Sequence, residues 1–187
     1  MYIFKFLAPL CAATMMFAAG SLFLTKNAQL FTDTNEGSAL GELIVSSPLK
    51  KLSQSGDFTE VEFVGFMPEG STIAYEEAGV LMVGFEAKDA SVYKIIGQKK
   101  DEYDTVWLNV SVKGFVKSNV LGRDKAKILA SGKALFQGKC GACHPIHAPD
   151  EFDRNVWPSI LKPMGVQAGL SKDEKYSIEK YLQNAQK

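Results

Sequence analysis

Apolar and polar positions change rhythm three times along this chain. The first rhythm is a block: Lys5 is followed by residues 6–24 without a charge, and then by Lys26. A cleaved signal carries an apolar core of about 7–15 residues and a membrane span needs about 20. Ala18-Ala19-Gly20 offers small residues for cleavage, while Leu22-Phe23-Leu24 prolongs the run, so residues 1–25 read as a signal peptide or membrane anchor, with the pattern leaning to a retained anchor. Residues 26–40, rich in Thr, Asp, Asn, Gly and Ser, read as a polar linker.

The second rhythm has period two. Leu43-Ile44-Val45, Val61-Glu62-Phe63, residues 80–85 and residues 92–96 are short strand patterns, with Met67-Pro68-Glu69-Gly70 as a turn. In residues 106–112, Val106, Leu108, Val110 and Val112 face one way and Trp107, Asn109 and Ser111 the other, before Gly114 permits a turn. Such a run of short strands predicts a small all-β barrel or sandwich over 41–122. Glu76-Glu77 reads as a solvated acidic pair and Trp107 as a half-buried sheet residue.

The third rhythm is helical. Ile128, Leu129, Leu135 and Phe136 sit at helical spacing over residues 124–139. A segment with Pro145, Pro149, Pro158 and Pro163 follows, where the proline density predicts an irregular loop. Ser171 opens a last helix, Glu174 completes a capping box, and Ile178, Tyr181 and Leu182 form its apolar face.

Charge changes this picture little. The 21 basic and 21 acidic residues cancel, which argues against a nucleic-acid or polyanionic partner. Their distribution is uneven: residues 41–123 carry 9 basic and 12 acidic side chains, and 124–187 carry 10 and 7. That imbalance either orients a partner or is a solvated surface.

Chemistry is concentrated in Cys140-Gly141-Ala142-Cys143-His144, the pattern of a covalent attachment site for haem c. Two thiols three positions apart can each add to a vinyl group of one porphyrin, and the next imidazole is then placed to bind the iron. Zinc would need about four ligands, and only His147 remains nearby. No βαβ pattern frames a thioredoxin-type pair, and a disulfide across two residues would be strained. Cys11 lies in the leader, so both remaining cysteines are accounted for by haem, and export suits that attachment. His144 is the expected proximal iron ligand.

The distal ligand follows by elimination among two histidines and six methionines. His147 is too close to His144 to reach the opposite face readily. Met1, Met15 and Met16 lie in the leader and Met67 and Met82 in the β region, which leaves Met164. A thioether favours ferrous iron and raises the potential. The alternatives are five-coordinate iron, Lys162, or His147 acting between molecules. Trp157 reads either as a propionate donor or as core.

Helix, attachment motif, loop and terminal helix over 123–187 resemble a class I monohaem cytochrome c. Gly132, Phe136 and Tyr181 match that family's crossing of first and last helices. Trp107 through Gly114-Phe115-Val116 to Leu121 resembles a bacterial SH3-like domain. Together with Phe152, Asn155-Val156-Trp157-Pro158 and Met164, the chain is similar to the C-terminal part of the membrane-anchored pentahaem cytochromes that serve trimethylamine N-oxide reductases. The expected fold class is therefore α+β: an N-terminal apolar helix (signal or anchor), an all-β SH3-like barrel over 41–122, and a small all-α class I cytochrome c domain over 123–187.

The resemblance implies one covalent haem c and a periplasmic carrier of single electrons, not an enzyme, with no catalytic residue. Its donor would be a quinol-oxidising cytochrome, because this chain has one CxxCH motif and no tetrahaem module. Its acceptor would be a periplasmic reductase of the trimethylamine N-oxide or S-oxide type. Two other classes stay open: a ligand-binding or catalytic protein with an open haem, and a docking subunit of a respiratory complex.

Overall fold

A computed structural model describes residues 21–186. Residues 1–20 of the expected N-terminal apolar segment fall outside these, and its end, Leu22–Leu24, is a strand rather than helix. Strands open the described chain: β1 (Leu22–Leu24), β2 (Ala28–Phe31), β3 (Ala39–Leu43), β4 (Pro48–Ser55), β5 (Phe58–Met67), β6 (Ile73–Glu77), β7 (Val80–Ala87), β8 (Lys94–Lys100), β9 (Val106–Lys117) and β10 (Leu121–Gly122). All pair antiparallel in one sheet of order β10-β1-β4-β5-β6-β7-β3-β2-β9-β8. An additional β5–β9 pairing, from Phe58 opposite Lys117 to Met67 opposite Leu108, closes β5, β6, β7, β3, β2 and β9 into a ring. Its core is fully buried at Leu24, Leu30, Leu43, Val61, Phe63, Phe85, Val110 and Val116.

Three helices follow: α1 (Lys125–Leu135), α2 (Trp157–Gln167) and α3 (Lys172–Asn184). The expected α+β class with a separate all-α cytochrome domain is corrected here. The described chain is predominantly β, ten strands against three helices, and a separate all-α domain is not shown. Their shared core has five buried residues, Phe136, Trp157, Leu161, Ile178 and Leu182. In a separate cluster, α3 buries Tyr176 against Ile44 and Val45 of the β region.

Local departures have equally local causes. Leu22 and Leu24, the end of the apolar run, are core residues of β1, and β2 lies where the polar composition suggests a linker. β9 runs straight through Gly114, whose missing side chain admits β2: an added Cβ would lie 2.5 Å from the Phe31 carbonyl oxygen. α2 forms despite two prolines. Pro158 sits in its first turn, where a backbone N–H has no helical partner to lose, and Pro163 removes one interior bond. Met164 consequently lies on a helix, where the proline pattern predicts a loop. Among the described residues no helix is long and apolar enough to cross a membrane.

Candidate haem-attachment site

α1 is capped by Asp124, whose carboxylate accepts the Lys127 N–H at 3.0 Å. It crosses α3 at Gly132, where a Cβ would lie 2.1 Å from the Ser177 carbonyl oxygen. Phe136 meets Tyr181 with ring centroids 6.2 Å apart and Trp157 edge-on at 6.1 Å. The three residues singled out for this crossing therefore meet there. Past Leu135 the helix widens into a π-helical turn, Phe136–Cys140, which delivers the first thiol. Such single π turns recur at functional sites. Gly141 then packs on the Gln137 carbonyl, with room for no side chain, since a Cβ would lie 2.5 Å from that oxygen.

Cys140 is half-buried and Cys143 exposed, and the two are not joined in a disulfide. Burial pushes the Cys140 thiol up, and the charge of Cys143 adds to it, the opposite of the activation a redox-exchange pair needs. His144 is held by its own loop. Its Nδ1 lies 2.7 Å from the Pro145 carbonyl oxygen. A carbonyl can only accept, so Nδ1 carries a proton, and in the neutral ring that leaves the lone pair on Nε2, the tautomer a metal-binding imidazole requires. The His147 Nδ1 meets Glu151 at 2.8 Å, and its ring packs on Phe152 and, edge-on at 5.8 Å, on His144.

Cys140, Cys143, His144 and Met164 line one cleft of about 60 Å³, together with Lys139, Gln167 and Ala168. The cleft is narrower than a porphyrin, but its donors suit one: two thiols, an imidazole with Nε2 free, and a thioether whose residue is 38% exposed. Met67 and Met82 are buried in the β region. The Trp157 indole donates to the Pro149 carbonyl at 3.0 Å inside the helical core, so core is its role in this structure.

Unforeseen from sequence is how this segment is bound to the sheet. Buried Lys180 donates to Glu76 and, at 3.4 Å, to Ser47 Oγ. Arg154 forks onto Glu77 at 3.1 and 3.3 Å. Lys172 bridges Glu42 at 2.5 Å and Glu86 at 2.6 Å, and the Tyr176 hydroxyl donates to Glu86. Glu76-Glu77 is thus a docking pair rather than a solvated loop. Three bases of the C-terminal region, Arg154, Lys172 and Lys180, face four acids of the middle region, Glu77, Glu42, Glu86 and Glu76. A basic residue at helical spacing beside a buried Tyr176 was the available signal, but its partner lies about a hundred positions away.

The β region also carries the decisive comparison. Residues 17–121 match the model of the TorC third cytochrome c domain, more than half of the chain. The chain belongs to that family. It is therefore part of the c-type cytochromes, haem proteins of electron transport. The matched residues contain no cysteine and stop short of Cys140. The cytochrome c-type protein TorC of Escherichia coli (strain K12) is 25% identical over 167 residues, covering 82% of this chain and 41% of that protein. The cytochrome c-type protein TorY of Escherichia coli O157:H7 is 28% identical over 153 residues, covering 78% and 42%. Stretches that long in a 187-residue chain cannot avoid residues 140–144. The chain spans about two fifths of the length of these relatives. No solved structure matches it significantly.

Proposed function

We propose that the chain is a one-haem, single-electron carrier. Cys140 and Cys143 hold the haem covalently, His144 binds the iron proximally through Nε2, and Met164 supplies the distal ligand. The carrying observation is that the two thiols, the oriented imidazole and the thioether line one cleft. Bound there, the haem supplies a reversible ferric/ferrous couple. The chain's residues fix its ligands, set its potential and, with both axial positions filled, leave no place for substrate. The protein is on this reading not an enzyme.

The carrier acts in the periplasm. It takes electrons from a quinol-oxidising cytochrome and passes them to a terminal reductase of the trimethylamine N-oxide or S-oxide type. Similarity to the TorC and TorY cytochromes supports that route. The haem-bearing part begins at residue 123, and the β part up to residue 122 holds it in place.

An optical redox titration of wild type against Met164→Ala tests this. Wild type gives one one-electron wave and the red charge-transfer band of methionine-ligated ferric haem. The variant loses the band, and its potential falls by on the order of a hundred millivolts, a fraction of the roughly 0.8 V that axial ligands span. An unchanged variant, or a wild-type ferrous haem that binds carbon monoxide as fast as Met164→Ala, overturns the assignment and favours an open haem.

A further inference from the structure

The turn between β6 and β7 is bonded to the segment that leads into α2, and the bonding is specific. Asn155 presents both ends of its amide: Oδ1 accepts the Leu81 N–H at 2.7 Å and Nδ2 donates to the Gly79 carbonyl at 2.8 Å. Arg154, one residue earlier, forks onto Glu77 and donates through Nε to the Gln183 carbonyl at 2.9 Å. Gln183 returns the contact, donating to the Leu81 and Arg154 carbonyls at 3.2 and 3.1 Å. β3 reaches β7 only at Phe85, Glu86 and Ala87. At Leu81 the outward N–H and C=O of β7 therefore bond to the helical segment where a strand would otherwise lie.

The turn is itself braced. Gly79 has φ +82°, a conformation that favours glycine, and packs against Asp101 at the tip of β8–β9. On the other side, Asn155 lies two residues before Trp157, the buried first residue of α2. Met164 follows seven residues later, about 10 Å along the helix axis. Pro163 stands just before Met164 and removes a helical bond there, so the C-terminal half of α2 is less firmly held from within.

We propose that the β6–β7 turn, through Asn155 and Arg154, is a strut that sets the position of α2 and thereby holds Met164 against the iron. Asn155, Arg154 and Glu77 are positioning residues for the distal ligand, remote from the thiols and His144. The inference rests on the reading of Met164 as that ligand. It gives the β region a direct part in tuning a haem that it does not carry.

The test uses the full chain with its haem attached. Asn155→Ala removes both bonds, Asn155→Asp removes only the donor to Gly79, and Glu77→Gln weakens the Arg154 fork. Val110→Ala, deep in the β core, serves as a control for general destabilisation. The readouts are the red charge-transfer band and carbon monoxide binding to the ferrous protein, with covalent haem content measured alongside.

One hydrogen bond's net worth shifts a two-state population by roughly ten-fold. Asn155→Ala should therefore keep its covalent haem, lose most of the band and bind carbon monoxide roughly ten-fold faster. Asn155→Asp should fall between it and wild type. Glu77→Gln, at an exposed pair, should change binding about two-fold. Val110→Ala should lower the melting temperature with band and binding unmoved. If Asn155→Ala does not fold, Glu77→Gln and Asn155→Asp decide on the same readouts. A wild type without the band overturns the axial reading and this one with it. A wild type with the band, and Asn155 and Glu77 variants that keep it intact, overturn the strut alone. So does a Val110→Ala protein that loses the band equally.

Discussion

The β body and the helical segment solve the same problem, holding a chain in place, by different means. The β body buries fifteen residues in one cluster and closes its strands into a ring, so most of its backbone bonds and apolar contacts are internal. The helical segment buries five residues in a cluster of its own and carries the cleft on its exposed side. It is tied to the sheet by charge and hydrogen bonds, among them Lys180 to Glu76, Arg154 to Glu77 and Lys172 to Glu42 and Glu86. The β body is held by burial within itself, and the helical segment adds polar attachment across to the sheet.

Breaking the attachment at its most buried point should have the largest effect. The Lys180 and Glu76 side chains are 2% and 6% exposed. Burial pulls the Lys180 ammonium down, and Glu76 opposes that shift. Removing one member of a buried pair leaves the other charge unmatched, at a cost of about 3–5 kcal/mol. Lys180→Ala should therefore undock α3 while the β body stays folded. Hydrogen exchange checks this: protection should be lost in α1 and α3 and kept in β5 and β9. Phe63→Ala in the β core should cost a similar amount, about 3–5 kcal/mol, but loosen both regions together. Uniform loss of protection in Lys180→Ala would show that the two regions are not separable in this way.

The comparison also explains what could be read in advance. Cysteine spacing at 140 and 143, the Ser171 capping box and the Gly132–Phe136–Tyr181 crossing are local or rest on steric rules of one or two helices. All three motifs are legible in a linear string, and the capping box and the crossing form as read. The sheet was partly legible, where alternation is apolar. β4 carries one buried residue, Leu49, and β2 has four residues with one buried, Leu30, too short for an alternation to show. The docking surface was not legible at all. Glu76, Glu77, Glu86 and Glu42 look like surface acids until α3 and Arg154 are placed against them. α2 failed for the opposite reason: proline propensity is a local rule, and burial of Trp157 and Leu161 overrides it.

A smaller effect is expected inside the helical segment. An alanine at Gly132 gains up to about 1 kcal/mol of helix propensity. Its Cβ, however, would lie 2.1 Å from the Ser177 carbonyl oxygen, so α1 and α3 must part. Overpacking of this kind costs about 1–3 kcal/mol, so steric cost wins. Gly132→Ala should lower the denaturation midpoint by a net of about 1–2 kcal/mol and weaken the near-ultraviolet dichroism of Phe136 and Tyr181. A stabilised variant would mean that the crossing relaxes freely and that attachment to the sheet alone fixes α3.

The smallest effect concerns the rim of the attachment, and its sign separates it from the rest. Burial pushes the Glu86 carboxyl up, but the hydrogen bonds from Lys172 and Tyr176, with the charges of Lys172 and Lys175, outweigh it and hold the group below the usual carboxylate range. A depressed carboxyl stabilises the fold above its unfolded value, about 4.3, and that contribution is lost as pH falls through the folded value. Glu179, on the same helix, is pushed up by burial against the pull of Lys175, so its protonation opposes the trend. Lys172 is half exposed, which limits the Glu86 contribution to below about 1 kcal/mol. Wild type minus Glu86→Gln cancels all of the Glu179 contribution except the small part that Glu86's own charge imposes on it. The difference in unfolding free energy should be constant from neutral pH down to about 5 and shrink below about 4.3. A difference that grows in acid would mean that burial, not Lys172 and Tyr176, governs Glu86, and that the rim of the attachment works against docking.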